Sequence, residues 1–156
     1  RVIFVSALLH DMCDKKYMNE TKGMDEICNY LKPRITSEEV EMVKNIVTTM
    51  SYSKVKQNGF PKLGDYMWAY HVVREADLFA AYDFDRCMIY HIKKNNGDIE
   101  TSFKAAETLF QDRVLKHHDD GLLLTEYSKE NYIQYNNIAI QRINSWKKIL
   151  KKPVFN

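Results

Sequence analysis

Apolar residues recur along this chain three and four positions apart, the spacing that places them on one face of a helix. Residues 1–12 predict a mostly buried helix, because Val, Ile, Phe and Leu run on without a turn residue before His10. Residues 14–22 are polar and read as a loop, and residues 23–31 as a short helix stopped by Pro33. Thr36 and Glu39 form the pattern of a capping box, opening an amphipathic helix through Val40, Val43, Ile46 and Val47 toward Met50. Residues 51–62 mix Ser, Lys, Asn, Gly and Pro and predict a surface loop. A long helix with a strongly apolar middle is expected over 64–94, closed by Asn95, Asn96, Gly97 and Asp98. The next covers 102–118, with Phe103, Ala106, Leu109, Phe110 and Val114 in register, and Gly121 ends it. Thr125 or Ser128 caps a last helix carrying Tyr132, Tyr135, Ile138, Ile140, Ile143 and Ile149 before Pro153. The fold class expected is all-α, one helical bundle over 1–156.

Composition narrows the partners. The 156 residues carry 23 Lys and Arg against 21 Asp and Glu, a formal charge of +2, and the basic residues are dispersed. Long-range attraction to nucleic acid or to a membrane surface is therefore not expected. Only 5 Gly and 3 Pro agree with a helical, ordered chain. Cys13, Cys28 and Cys87 are an odd number without metal-knuckle spacing, which points to a reducing, cytoplasmic setting. The opening RVIFVSALL is too short to span a bilayer and is followed at once by His10 and Asp11, so it is read neither as a membrane segment nor as a leader. Because the chain starts at Arg1 inside an apolar helical pattern, a preceding helix is expected to be missing from it.

Two acidic positions are awkward for such a bundle. His10 and Asp11 follow Ala7, Leu8 and Leu9, so at least one of the pair is expected to leave solvent. A buried carboxylate must be paired or must bind a metal, and imidazole with carboxylate suits Mn²⁺, Mg²⁺ or Fe²⁺. The plain alternative is a helix-end His beside a surface Asp. Asp77 lies among Ala76, Leu78, Phe79, Ala80 and Ala81, and its plain alternative is an ion pair with Arg74 at i−3. His71, His91, His117 and His118 read as structural or solvated.

The segments ALLHDMCDKKY at 7–17 and VVREADLFAAYDFDR at 72–86 together resemble the HD-domain metal-dependent phosphohydrolase superfamily. The stretch LFQDRVLKHHDDGLLLTEYSKE is similar to that family's C-terminal helices. The resemblance implies an HD-type helical domain with a divalent ion (Mn²⁺, Mg²⁺, Fe²⁺ or Co²⁺) held by His10, Asp11 and Asp77. It also implies a further His, on a helix upstream of the pair, which has no counterpart in this sequence. The implied activity is hydrolysis of a nucleotide or another small phosphorylated metabolite by a metal-bound water. The alternative is a degenerate scaffold that binds a nucleotide or a protein without turnover.

Asp14 projects from the face of the pair if the first helix continues, and it matches an acidic residue that polarises the attacking water in some HD nucleotidases. As a helix-end or loop residue it would have no such role. Lys15 and Lys16 are candidates to neutralise phosphate, Lys15 the preferred catalytic one and Lys16 a substrate contact. Lys54, in the expected loop, and Arg86 are further phosphate contacts, although Arg86 also forms an i,i+3 pair with Asp83. The basic tail SWKKILKKPVF reads as a solvated helix end.

Overall fold

Six helices of this protein begin at a side chain that takes up one of their unpaired N–H groups, which is why their starts fall where they do. The computed structural model describes residues 1–12 and 19–155. Among these residues the fold is all helical, with no strand. It divides into two compact units, Arg1–Arg74 and Glu75–Asn156.

The first unit holds α1 (Val2–Leu9), α2 (Glu20–Leu31), α3 (Ser37–Thr49), α4 (Tyr52–Asn58) and a 3₁₀ turn at Gly64–Tyr66. It also holds the start of α5 (Met67–Ala80), inside which the division falls. Both α1 and α2 pack on α3, whose Val43 and Ile46 are wholly buried. Met24, Ile27 and Leu31 of α2 are buried at the spacing expected of one helix face.

The capping box is present: the Thr36 hydroxyl accepts the Glu39 N–H at 3.2 Å, and Glu39 Oε2 accepts the Thr36 N–H at 2.9 Å. That backbone bond holds the Glu39 carboxyl below the usual carboxylate range. Thr36→Ala is expected to lower stability by about 1 kcal/mol, because it removes the acceptor for one helix-end donor. Urea unfolding tests this, and an unchanged midpoint would show that the cap contributes nothing.

The second unit holds the end of α5, α6 (Phe84–Lys94), α7 (Ile99–Asp112), a 3₁₀ turn at Val114–Lys116 and α8 (Glu126–Ile149). Helices α6 and α7 form a hairpin whose turn uses left-handed backbone at Asn96 (φ 51°) and Gly97 (φ 89°). Its core stacks Phe84 edge-on against Phe110 (5.0 Å) and Phe103 (5.9 Å), with Met88, Ala106 and Ile143 buried around them.

Several boundaries differ from the sequence expectation. The long helix expected over 64–94 is interrupted between Ala80 and Phe84. Tyr82 and Phe84 are both buried, 4% and 1% exposed. Two residues apart, they would face different sides of one helix. A break lets both enter the core, and Asp83 Oδ1 accepts the Arg86 N–H at 3.1 Å to start α6 afresh. The loop expected over 51–62 contains α4, because the Ser51 hydroxyl accepts the Lys54 N–H and Val55 is buried. Helix α2 starts earlier than expected, at Glu20, where Asn19 accepts the Lys22 N–H. Helix α7 likewise starts at Ile99 on the Asp98 cap and ends at Asp112, short of the expected 118.

Helix α1 is less buried than its composition predicts. Only Val2 and Ser6 are buried, whereas Phe4, Leu8 and Met12 are exposed. An unbroken apolar run does not reveal which face will meet a neighbour.

The tail is also more engaged than expected. Lys147 is 7% exposed, its Nζ 2.7 Å from Glu107 Oε1 and 3.5 Å above the Phe155 ring, and Lys152 Nζ lies 3.6 Å from Glu100. Asn144 donates to the Phe155 carbonyl at 3.2 Å and accepts its N–H at 2.9 Å, which pins the tail to α8. No helix among the described residues is long and apolar enough to cross a membrane.

Candidate metal and phosphate site

His10 stands where α1 ends, in the turn that closes on the Met12 N–H to Leu9 carbonyl bond. Its Nδ1 lies 2.7 Å from the Ala7 carbonyl oxygen, which accepts only, so Nδ1 carries the proton and donates. In the neutral ring the lone pair is then on Nε2, and Nε2 lies 3.4 Å from Asp11 Oδ2. A backbone carbonyl that fixes the tautomer in this way is the usual support of a metal-binding imidazole. Of the two side chains only His10 leaves solvent, at 27% exposed, while Asp11 stays 75% exposed. The pair therefore presents one nitrogen and one carboxylate, a donor set that suits a divalent ion. Among the described residues, no three His, Cys, Asp or Glu side chains are gathered so that they could hold a metal ion.

Asp77 is half-buried on α5, in the second unit. The deeply buried acid of this helix is Glu75, 2% exposed, which the sequence reading passed over. Its Oε1 accepts the Leu124 N–H at 3.0 Å, and its Oε2 accepts the Thr125 N–H at 3.0 Å and the Thr125 hydroxyl at 2.7 Å. Burial alone would raise the Glu75 pKa, but hydrogen bonds from Ser128, from the Thr125 hydroxyl and from the two backbone N–H groups outweigh it and hold the carboxyl below its ordinary value. Glu75 thus anchors the start of α8. The apolar neighbours that singled out Asp77 flank Glu75 as well. Sequence context could mark both acids but not say which is buried.

Arg74 is 1% exposed, its guanidinium over the Phe60 ring at 4.9 Å and its Nη2 3.3 Å from His71 Nδ1. His71 is thereby part of a packed aromatic and arginine cluster, as expected of a structural His. His117 is fully buried against Tyr82, and His118 stacks face to face on Tyr132 at 3.9 Å. His91 is half-buried, and its pKa is lowered by burial and by the charge of Lys94.

The phosphate contacts fare differently. Asp14, Lys15 and Lys16 lie outside the described residues. Lys54 rides on α4 instead of on a loop, and its ammonium is bound by Glu20. Arg86 does not share a helix with Asp77, contrary to expectation, because the chain breaks between them. Its expected partnership with Asp83 is made by the backbone N–H, and its side chain is exposed.

Around Arg86 the second unit forms a cleft of about 740 Å³ between the end of α5, the start of α6 and α8. Phe79 and Tyr135 stack at 4.4 Å, Tyr82 lies 5.7 Å from Phe79 and 5.8 Å from Tyr135, and Ile138 is exposed alongside. Asp85 Oδ2 accepts from Arg142 Nε at 2.6 Å, and Oδ1 accepts from Trp146 Nε1 at 2.8 Å. Of this site sequence reasoning singled out Arg86 and missed the rest, since its residues come from three helices with no shared spacing signal.

Compared with models of protein families, with curated proteins and with solved structures, the chain finds no match in any of the three.

Proposed function

We propose that this protein is a metal-dependent phosphohydrolase of the HD type acting on a nucleotide or another small phosphorylated metabolite. The observation that carries the reading is the His10 ring. Its Nδ1–H is tied to the Ala7 carbonyl and its Nε2 is turned toward the Asp11 carboxylate. That arrangement supports His10 and Asp11 as ligands, and the resemblance of 72–86 adds Asp77 from α5. A bound Mn²⁺, Mg²⁺, Fe²⁺ or Co²⁺ would polarise a phosphoryl oxygen and lower the pKa of its water.

The remaining work falls to the chain. The Ala7 carbonyl keeps the imidazole in the tautomer that can ligate, and Asp11 contributes negative charge beside it. Asp14, three residues after Asp11, is the proposed acceptor of the water proton, and Lys15 and Lys16 are the proposed partners of the phosphate. Arg86 is a phosphate contact in the same reading, supported by its exposed guanidinium. The pairing of Lys54 with Glu20 leaves it less suited to that task. Cys28 and Cys87 are free thiols, which supports a cytoplasmic location.

Elemental analysis of the purified protein, followed by phosphate release from a nucleotide panel with Mn²⁺, Mg²⁺ and Co²⁺, tests the proposal. Bound divalent metal and metal-dependent release are expected. Absence of both would leave a helical scaffold that binds without turnover.

A further inference from the structure

The cleft around Arg86 has its own donor and acceptor pattern. Its floor is aromatic: Phe79 is 8% and Tyr82 4% exposed, with Tyr135 stacked on Phe79 and Ile138 open to solvent beside them. Phe79 and Tyr82 are nearly covered, so a flat ligand would meet the half-buried Tyr135 and the exposed Ile138 that line the cleft with them. Of the acids at its edge, Asp85 is engaged through both oxygens and Asp83 through one. Both oxygens of Asp85 accept protein N–H groups, and Asp83 Oδ1 accepts the Arg86 N–H as a helix cap. The cations are not used up in the same way. Arg142 is held by Asp85 through Nε, and its side chain stays half exposed. The Arg86 guanidinium makes no hydrogen bond or ion pair among the described residues. The cleft's free polar groups include the Asp83 second oxygen, the Gln141 amide and guanidinium N–H, and of these the guanidinium is the chemistry that takes a phosphate or carboxylate through paired bonds. Its volume lies within the range of small-molecule sites.

We infer that this cleft binds a planar aromatic molecule bearing an anionic group, the ring against Tyr135 and Ile138 and the anion on Arg86 and Arg142. The site lies wholly within the second unit. It needs no metal, and Arg86 is the one residue it shares with the proposed hydrolase reading.

The probe is 1-naphthyl phosphate, titrated against the full chain in EDTA and followed by ligand-observed NMR and by calorimetry. Saturable binding is expected, weaker by at least about tenfold in Arg86→Gln, which removes a charged donor pair. A loss of similar size is expected in Ile138→Glu, which sets a like charge in the cleft. Both residues are exposed, so neither change disturbs the core. The neutral 1-naphthol should bind at least about tenfold more weakly than the phosphate. The inference is overturned if wild type shows no saturable binding, if both variants bind as wild type does, or if 1-naphthol binds equally well. Binding in EDTA by a protein that releases no phosphate with Mn²⁺ would sink the hydrolase reading alone, and the reverse result would sink only the cleft.

Discussion

Glu75→Ala should cost this protein about 3 kcal/mol, more than any surface change, because it strands donors that a buried carboxylate now satisfies. The N–H groups of Leu124 and Thr125 lie just ahead of the 24-residue α8, at its N-cap and the residue before it, where no intrahelical acceptor exists for them. The Thr125 hydroxyl, itself the cap of α8, donates to the same carboxylate at 2.7 Å. Negative charge at a helix start also opposes the positive end of its dipole. On thermal melting, that cost corresponds to a fall of roughly 10 °C for a chain of this length. Glu75→Gln keeps the shape and one acceptor oxygen, so its loss should be smaller.

The pH dependence has a definite sign. Hydrogen bonding holds the folded pKa of Glu75 below its ordinary 4.5. Stability from this group is therefore fully present above that value and is lost as pH falls through the folded pKa. The gap between wild type and Glu75→Gln should narrow as the solution is acidified below 4.5 and stay constant above it. A gap that widens on acidification would mean that the carboxyl is held protonated.

Asp77→Ala and His10→Ala are each expected to weaken divalent-metal uptake at least about a hundredfold, since even partners that merely orient a ligand have effects of that order. Metal-dependent phosphate release should fall with it. Asp77 is half-buried on a helix, and Ala is the better helix former, so circular dichroism should stay nearly unchanged. His10 stands past the last turn of α1, where its loss spares every backbone bond of the helix. Elemental analysis at matched protein concentration decides the matter. Unchanged occupancy in either variant removes that residue from the site and returns it to an ordinary polar role.

Side chains that act on their own neighbourhood were legible from the residues alone. The capping box at Thr36 and Glu39 and the breaker at 95–98 fall where the sequence places them, and of the two caps it offers for the last helix the structure uses Thr125. Each is a bond between groups only a few residues apart, so local chemistry suffices. The break at 81–83 was not legible in the same way, because it exists to bury Tyr82 and Phe84 together, a requirement set by helices distant in the chain. Lys54 shows the same limit: its neighbours suggest a loop lysine, and its partner Glu20 lies thirty-four positions away.

By itself, then, the sequence determined an all-helical chain, the capped start of α3, and the local pairing of an imidazole with an acid at 10 and 11. Tertiary structure decided which acid of α5 is buried, that Arg86 keeps an exposed guanidinium, and how rings from α5, from the break after it and from α8 came to floor one cleft. The physical reason is range. Capping and helical periodicity are satisfied within a turn or two, whereas burial is a competition among all apolar surfaces, settled only when distant helices meet.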